Sequence, residues 1–167
     1  MSIRAMPRTG LPRNPRSGMT LVELIVAFTI LMVLTSMAVP LARSNVRRNQ
    51  ERDLRVALDE MRKAIDKYKD YADSGKLGPD AIGIDTFGYP KTLDSLVEGV
   101  KGTGQAADTK IKFLRRLPLD PFTKTREWGL RSMQDDPKSQ GWGGQNVFDV
   151  YTKSTAKAAD GTPYAEW

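Results

Sequence analysis

The chain has 167 residues, 40% hydrophobic and 28% charged, an ordinary globular balance that excludes wholesale disorder and fits one domain, or one domain with an anchor. It holds no cysteine and no histidine, which excludes disulfides, thiolate and iron–sulfur sites, histidine general bases and the usual zinc centres. The net charge is +6, but Arg4, Arg8, Arg13 and Arg16 sit in the first 18 residues; without them it falls to +2, so the charge belongs to the N-terminal tail and does not point to nucleic acid.

Residues 1–18 combine those four arginines with three prolines and two glycines and contain no acid. Such a stretch cannot form a packed element. An apolar run follows from Met19 to Ala42, with Glu23 as its single charge. As a helix it would span about 36 Å, enough for a bilayer core of about 30 Å. It can also be read as a secretory signal, with Ser36-Met37-Ala38 as a small-x-small cleavage site and a mature chain starting at Val39.

Glu23 is what both plain readings explain poorly. A charge inside a membrane helix costs roughly 2.5–3.5 kcal/mol at the centre and less near the end, and it calls for a cationic partner. No Lys or Arg lies within the run. A cut after Gly18 would create one, the new α-amino group of Met19.

The stretch Gly18-Met19-Thr20-Leu21-Val22-Glu23 resembles the cleavage motif of type IV pilins and type II secretion pseudopilins. The resemblance implies that a prepilin peptidase removes the leader after Gly18 and methylates Met19. Glu23 becomes the fifth residue and Pro40 the twenty-second, both as in the family; Met19 stands where phenylalanine is usual. Thr20, Glu23 and Pro40 are then the expected assembly residues. Lys and Arg counts on the two sides of the run do not decide its orientation. The resemblance does, placing the leader in the cytoplasm and the C-terminal region in the periplasm.

Helical periodicity continues past Ala42. Leu54, Ala57, Leu58, Met61, Ala64, Ile65, Tyr68 and Ala72 recur at intervals of three and four. Arg52, Arg55, Asp59, Arg62, Lys63, Asp66 and Lys67 occupy the other face, with Asp59–Lys63 and Arg62–Asp66 at the four-residue spacing that favours ion pairs. One helix of roughly 80 Å is predicted from Met19 to Asp73, ended by Gly75, Gly78 and Pro79 and interrupted by Pro40, with a looser ladder near Ser36.

Beyond it, Thr92 is expected to cap a short helix over 93–97, and Gly99, Gly102 and Gly104 to form a flexible connection. Lys112–Leu117 is either helical or extended, and Pro118–Phe122 is a rigid turn. Glu127–Met133 and Asn146–Thr152 read as strands around a Gly-rich loop at 141–144, with a short edge strand at 161–167. The expected fold is α+β and pilin-like: a long N-terminal helix, transmembrane in its first half and amphipathic in its second, packed against a small antiparallel sheet. The expected segments are a leader at 1–18, a membrane and assembly half at 19–42, an amphipathic half at 43–73 and a globular region at 74–167.

Tyr89-Pro90, Leu117–Phe122, Phe148–Tyr151 and Trp167 resemble, within that family, the major G-type pseudopilin. Such proteins usually bind calcium in an acidic loop before the terminal tryptophan. Here Thr152–Gly161 holds one carboxylate, Asp160, against the six to eight oxygens calcium takes, so a plain turn is expected there and Asp160 is only a weak calcium candidate. Asp135-Asp136 reads as a solvated turn rather than a metal pair, and Gly141–Gly144 lacks the lysine and helix of a phosphate cradle. Trp128, Trp142 and Trp167 read as core or rim residues. No enzyme is expected, since no nucleophile, base and orienting group can be named together.

The resemblance implies a structural subunit of a helical, membrane-anchored fibre that assists export of folded proteins. Its expected partners are further copies of the chain, minor pseudopilins, an inner-membrane assembly platform and the prepilin peptidase. The alternatives are a type IV pilus subunit and, from another class, a periplasmic binding protein using its tryptophans.

Overall fold

The computed structural model describes residues 18–83, 85–104 and 109–167, with side chains from 37 to 43 left aside. The chain divides into two compact units that part between Ser44 and Asn45. Helix α1, Leu21–Asp73, contributes to both.

In the first unit α1 starts on Thr20, whose Oγ1 accepts a hydrogen bond from the Glu23 N–H at 3.3 Å, while its carbonyl accepts from Leu24 N. The pattern Thr-x-x-Glu is half of a capping box and satisfies donors that the first turn would otherwise leave open. Large apolar side chains from Leu21 to Leu34 are exposed around the helix. Thr29, Thr35 and Ser36 donate their hydroxyls to the carbonyls of Val26, Leu31 and Val33, so these polar groups are satisfied within the helix itself. The interruption expected at Pro40 does not break α1, which is continuous. Proline removes one N–H donor, and the neighbouring turns retain theirs. Among the described residues, no helix is long and apolar enough to cross a membrane.

In the second unit the predicted apolar stripe of α1 is the core. Leu54, Leu58, Met61, Ile65 and Tyr68 are buried, packed with Leu77, Leu96, Leu114, Trp128, Val147, Val150 and Tyr164. Burying each large side chain contributes about 1.5–3 kcal/mol. The helix stops at a Schellman turn. Gly75, at φ +67°, donates to the Ala72 carbonyl, and Lys76 N donates to Tyr71 O. The Lys76 ammonium lies 5.2 Å from the Tyr71 ring centroid, closing the same turn.

Helix α2, Asp94–Glu98, follows, with Thr92 Oγ1 accepting from Ser95 N at 3.4 Å. The expected flexible connection instead begins a ribbon. Strand β1, Val100–Lys101, pairs antiparallel with β2, Lys110–Ile111, and Gly102 bridges to Leu77. Gly99 is needed here: its φ is +84°, and a side chain would press on the Ile111 carbonyl at 3.0 Å. Lys112–Leu117 is neither helix nor strand. Phe113 N and Leu114 N both donate to Leu96 O, which draws Leu114 into the core.

Strands β3, Gly129–Arg131, and β4, Asp149–Tyr151, pair antiparallel with Leu130 opposite Val150. They fall inside the two predicted strands, and both ribbons have two strands, so the architecture is α+β with small antiparallel sheets. The expected C-terminal edge strand is absent among the described residues. Tyr164–Glu166 is a 3-10 turn, and only a Lys157–Pro163 bridge is strand-like. Pro163 has no N–H to extend a ladder, and burial of the Tyr164 ring turns the backbone inward.

Candidate functional site

Residues expected to act in processing lie where the described residues begin. Gly18, Met19 and Thr20 precede the helix, and Met19 is exposed. A Cβ added at Gly18 would meet nothing within 4 Å, and its φ lies outside the left-handed region. Among the described residues the fold therefore makes no demand for glycine at that position. Glu23 is exposed one turn into α1, where an acid also favours the positive end of the helix. Thr20 and Glu23 are thus brought together as a helix start, a role that the sequence reading missed although the Thr-x-x-Glu spacing carries it. Pro40 shares the helix but not this turn, and its side chain lies outside the described ones.

The polar centre of the second unit is one that periodicity did not reveal. Arg62 was expected on the solvent face; its Nε donates to Asp149 Oδ1 at 2.7 Å and its Nη2 to the Trp167 main-chain oxygen at 2.7 Å. Arg131, buried in β3, donates Nη1 to Asp149 Oδ2, Nε to Ser139 O and Nη2 to Ala165 O, with its guanidinium 4.2 Å from the Tyr151 ring centroid. One carboxylate thus joins α1 and both strands, and the two arginines it holds reach the C-terminal turn. Such charge-assisted bonds are the stronger class.

The weak constellations resolve as structure. Asp135 Oδ2 accepts from Ser132 N at 2.7 Å and Gly143 N at 3.0 Å, and these bonds hold its carboxyl below the ordinary 3.8. The Gly143 amide is spent on that latch, so the Gly-rich loop presents no cradle through it. Asp136 accepts from Lys138 N, as a turn residue does. Trp128 is buried and donates to Pro118 O; Trp142 is exposed and donates to Asn146 O; Trp167 packs edge-on against Tyr164. They serve three places and form no shared platform.

The chemistry of the C-terminal loop does not fit calcium. Asp160 Oδ1 accepts from Thr162 N at 2.9 Å, which with nearby Arg55 keeps its carboxyl low. Asp120, fully buried beneath the loop, accepts from Phe122 N at 2.8 Å, Thr123 N at 3.3 Å and the Thr152 hydroxyl at 2.5 Å. Lys153 and Lys157 add positive charge to the loop. Among the described residues no three acidic side chains gather into one group.

Residues 13–39 match the family described as the prokaryotic N-terminal methylation motif. This chain carries that motif. It is also 29% identical over 149 residues to a type II secretion system core protein G from Pseudomonas aeruginosa, across 85% of each chain. That likeness extends far beyond the motif and agrees with the G-type resemblance read from Tyr89-Pro90 to Trp167. No solved structure matches the chain.

Proposed function

We propose that this chain is a structural subunit, not an enzyme, of a type II secretion pseudopilus, a helical fibre that assists export of folded proteins across the outer membrane. The observation that carries this reading is the likeness to core protein G along 85% of both chains, which a generic pilin leader would not produce. The prepilin peptidase cuts between Gly18 and Met19 and methylates Met19. Gly18 supports this reading, because its own fold leaves open space for a side chain and so the demand for a small residue lies with a processing enzyme. The cut subunit waits in the inner membrane as a single pass, N-terminus cytoplasmic and C-terminal unit periplasmic. Two facts support the anchor: the run Met19–Ala42 has one charge, and the described hydroxyls within it bond to their own helix, as apolar surroundings require.

Assembly then adds subunits head to tail, a heterologous contact that yields an open helical fibre. The anchoring helices form its centre, while minor pseudopilins and an inner-membrane platform begin and drive its growth. Intact mass of the membrane-extracted protein tests the first step. A chain beginning at a methylated Met19 is expected, and Gly18 replaced by a bulky residue leaves the leader attached. A chain beginning at Val39 would establish the signal-peptide reading instead.

A further inference from the structure

The G-type resemblance implies calcium in the loop before Trp167, yet the donors of this chain are committed elsewhere. We propose that the 152–163 loop closes without calcium, and that the Arg47 guanidinium on α1 supplies the positive charge that holds it. Arg47 Nη2 donates to the Lys157 carbonyl, and its Nε donates to the Tyr164 hydroxyl at 3.1 Å. That hydroxyl donates in turn to Glu51 Oε1 at 2.6 Å, and Glu51 pairs with Arg47 at 3.4 Å. A loop carbonyl and a buried phenol are thereby fixed to the helix by one fixed cation, the service a calcium ion performs for carbonyl and carboxylate oxygens.

The rest of the loop is closed by its own backbone. Ala158 N donates to Thr162 O, Gly161 N to Ala158 O and Tyr164 N to Ala156 O. Both Asp120 oxygens and one Asp160 oxygen already accept bonds. Capturing a calcium ion would set it in competition with these bonds and bring it beside Lys157 and Arg55. The coordination demanded is six to eight oxygens, and the loop offers one carboxylate.

The test uses the full chain in detergent, and neither readout depends on fibre assembly, so it can fail separately from the secretion reading. Thermal unfolding is followed with calcium chloride and with a calcium chelator. A ligand that binds only the folded state raises its Tm. The Tm is expected to agree within about 1 °C; a calcium-induced rise of about 3 °C or more would overturn the proposal. In parallel, a lysine-specific protease probes cleavage after Lys153 and Lys157. Arg47→Ala is expected to cut at least about tenfold faster than the parent, because the local opening free energy of the loop falls, and calcium should not restore protection. Tyr164→Phe, which keeps the ring and removes the shared hydroxyl, should accelerate cleavage less, and Arg47→Lys should recover part of the protection. Arg47→Ala and Tyr164→Phe both cutting at the parent rate would show that the Arg47 network does not hold the loop.

Discussion

Glu23 has two jobs that one substitution can separate. Its backbone N–H bonds to Thr20 and its side chain sits in the first turn of α1. The capping bond is made by its backbone N–H, so a change of side chain leaves it in place. Glu23→Gln therefore keeps the helix start while removing the charge that would pair with a neighbouring subunit's methylated Met19. It is expected to insert and be cut after Gly18, yet to give far fewer sheared fibres. Glu23→Leu should fail similarly despite a more apolar anchor. Fibre yield from Glu23→Leu equal to the parent's would remove Glu23 from assembly.

Tyr68 offers a pH readout. Burial holds its hydroxyl above the ordinary 10.0, and the neutral form donates to Ala81 O at 2.8 Å. The folded value lies above the unfolded one. Its contribution to stability is thus complete below pH 10 and is lost as the pH climbs through the folded value. Denaturant melts of the parent should therefore weaken as the pH rises above 10. Tyr68→Phe should show a shallower alkaline loss, and an identical pH profile would refute the assignment.

At the scale of elements, the β3–β4 ribbon depends on a missing side chain. A Cβ at Gly129 would fall 2.2 Å from the Tyr151 ring, which lies across the strand pair. The ring cannot retreat freely, because its hydroxyl donates to Gln140 O at 2.7 Å and its face carries Arg131. Gly129→Ala is expected to cost about 1–3 kcal/mol, in line with overpacking. Urea melts measure it, and a change below about 0.5 kcal/mol would mean that Tyr151 is free to move. The two strands were legible from alternation; the glycine's role was not, because it depends on the residue opposite. The β1–β2 ribbon was hidden for a related reason. Its strands have two residues each, too short for a period, and glycines flank the first.

At the scale of the molecule, the apolar face of α1 in the second unit is covered by that unit's own residues. A chain starting at Asn45 is accordingly expected to be soluble, folded and monomeric, with a single cooperative melt followed by circular dichroism. A disordered spectrum would show that the second unit needs the first.

The sequence by itself determined what depends on near neighbours: the Gly18–Glu23 motif, the apolar run, the stripe from Leu54 to Ala72, and strands β3 and β4. Each of these can be stated from a short stretch of neighbours: a motif, an apolar run, a three- and four-residue spacing for the stripe and alternation for the strands. Only the tertiary structure decided what depends on residues far apart. Arg62 and Asp149 are separated by 87 positions and Arg47 and Tyr164 by 117, so no local pattern marks either pair. A long charged side chain on a helix rim can face solvent or reach a partly buried acid. Packing alone chooses, because it brings Asp149 and the C-terminal turn against α1, where leaving a partly buried carboxylate or a buried phenol without a partner costs more than ordering an arginine.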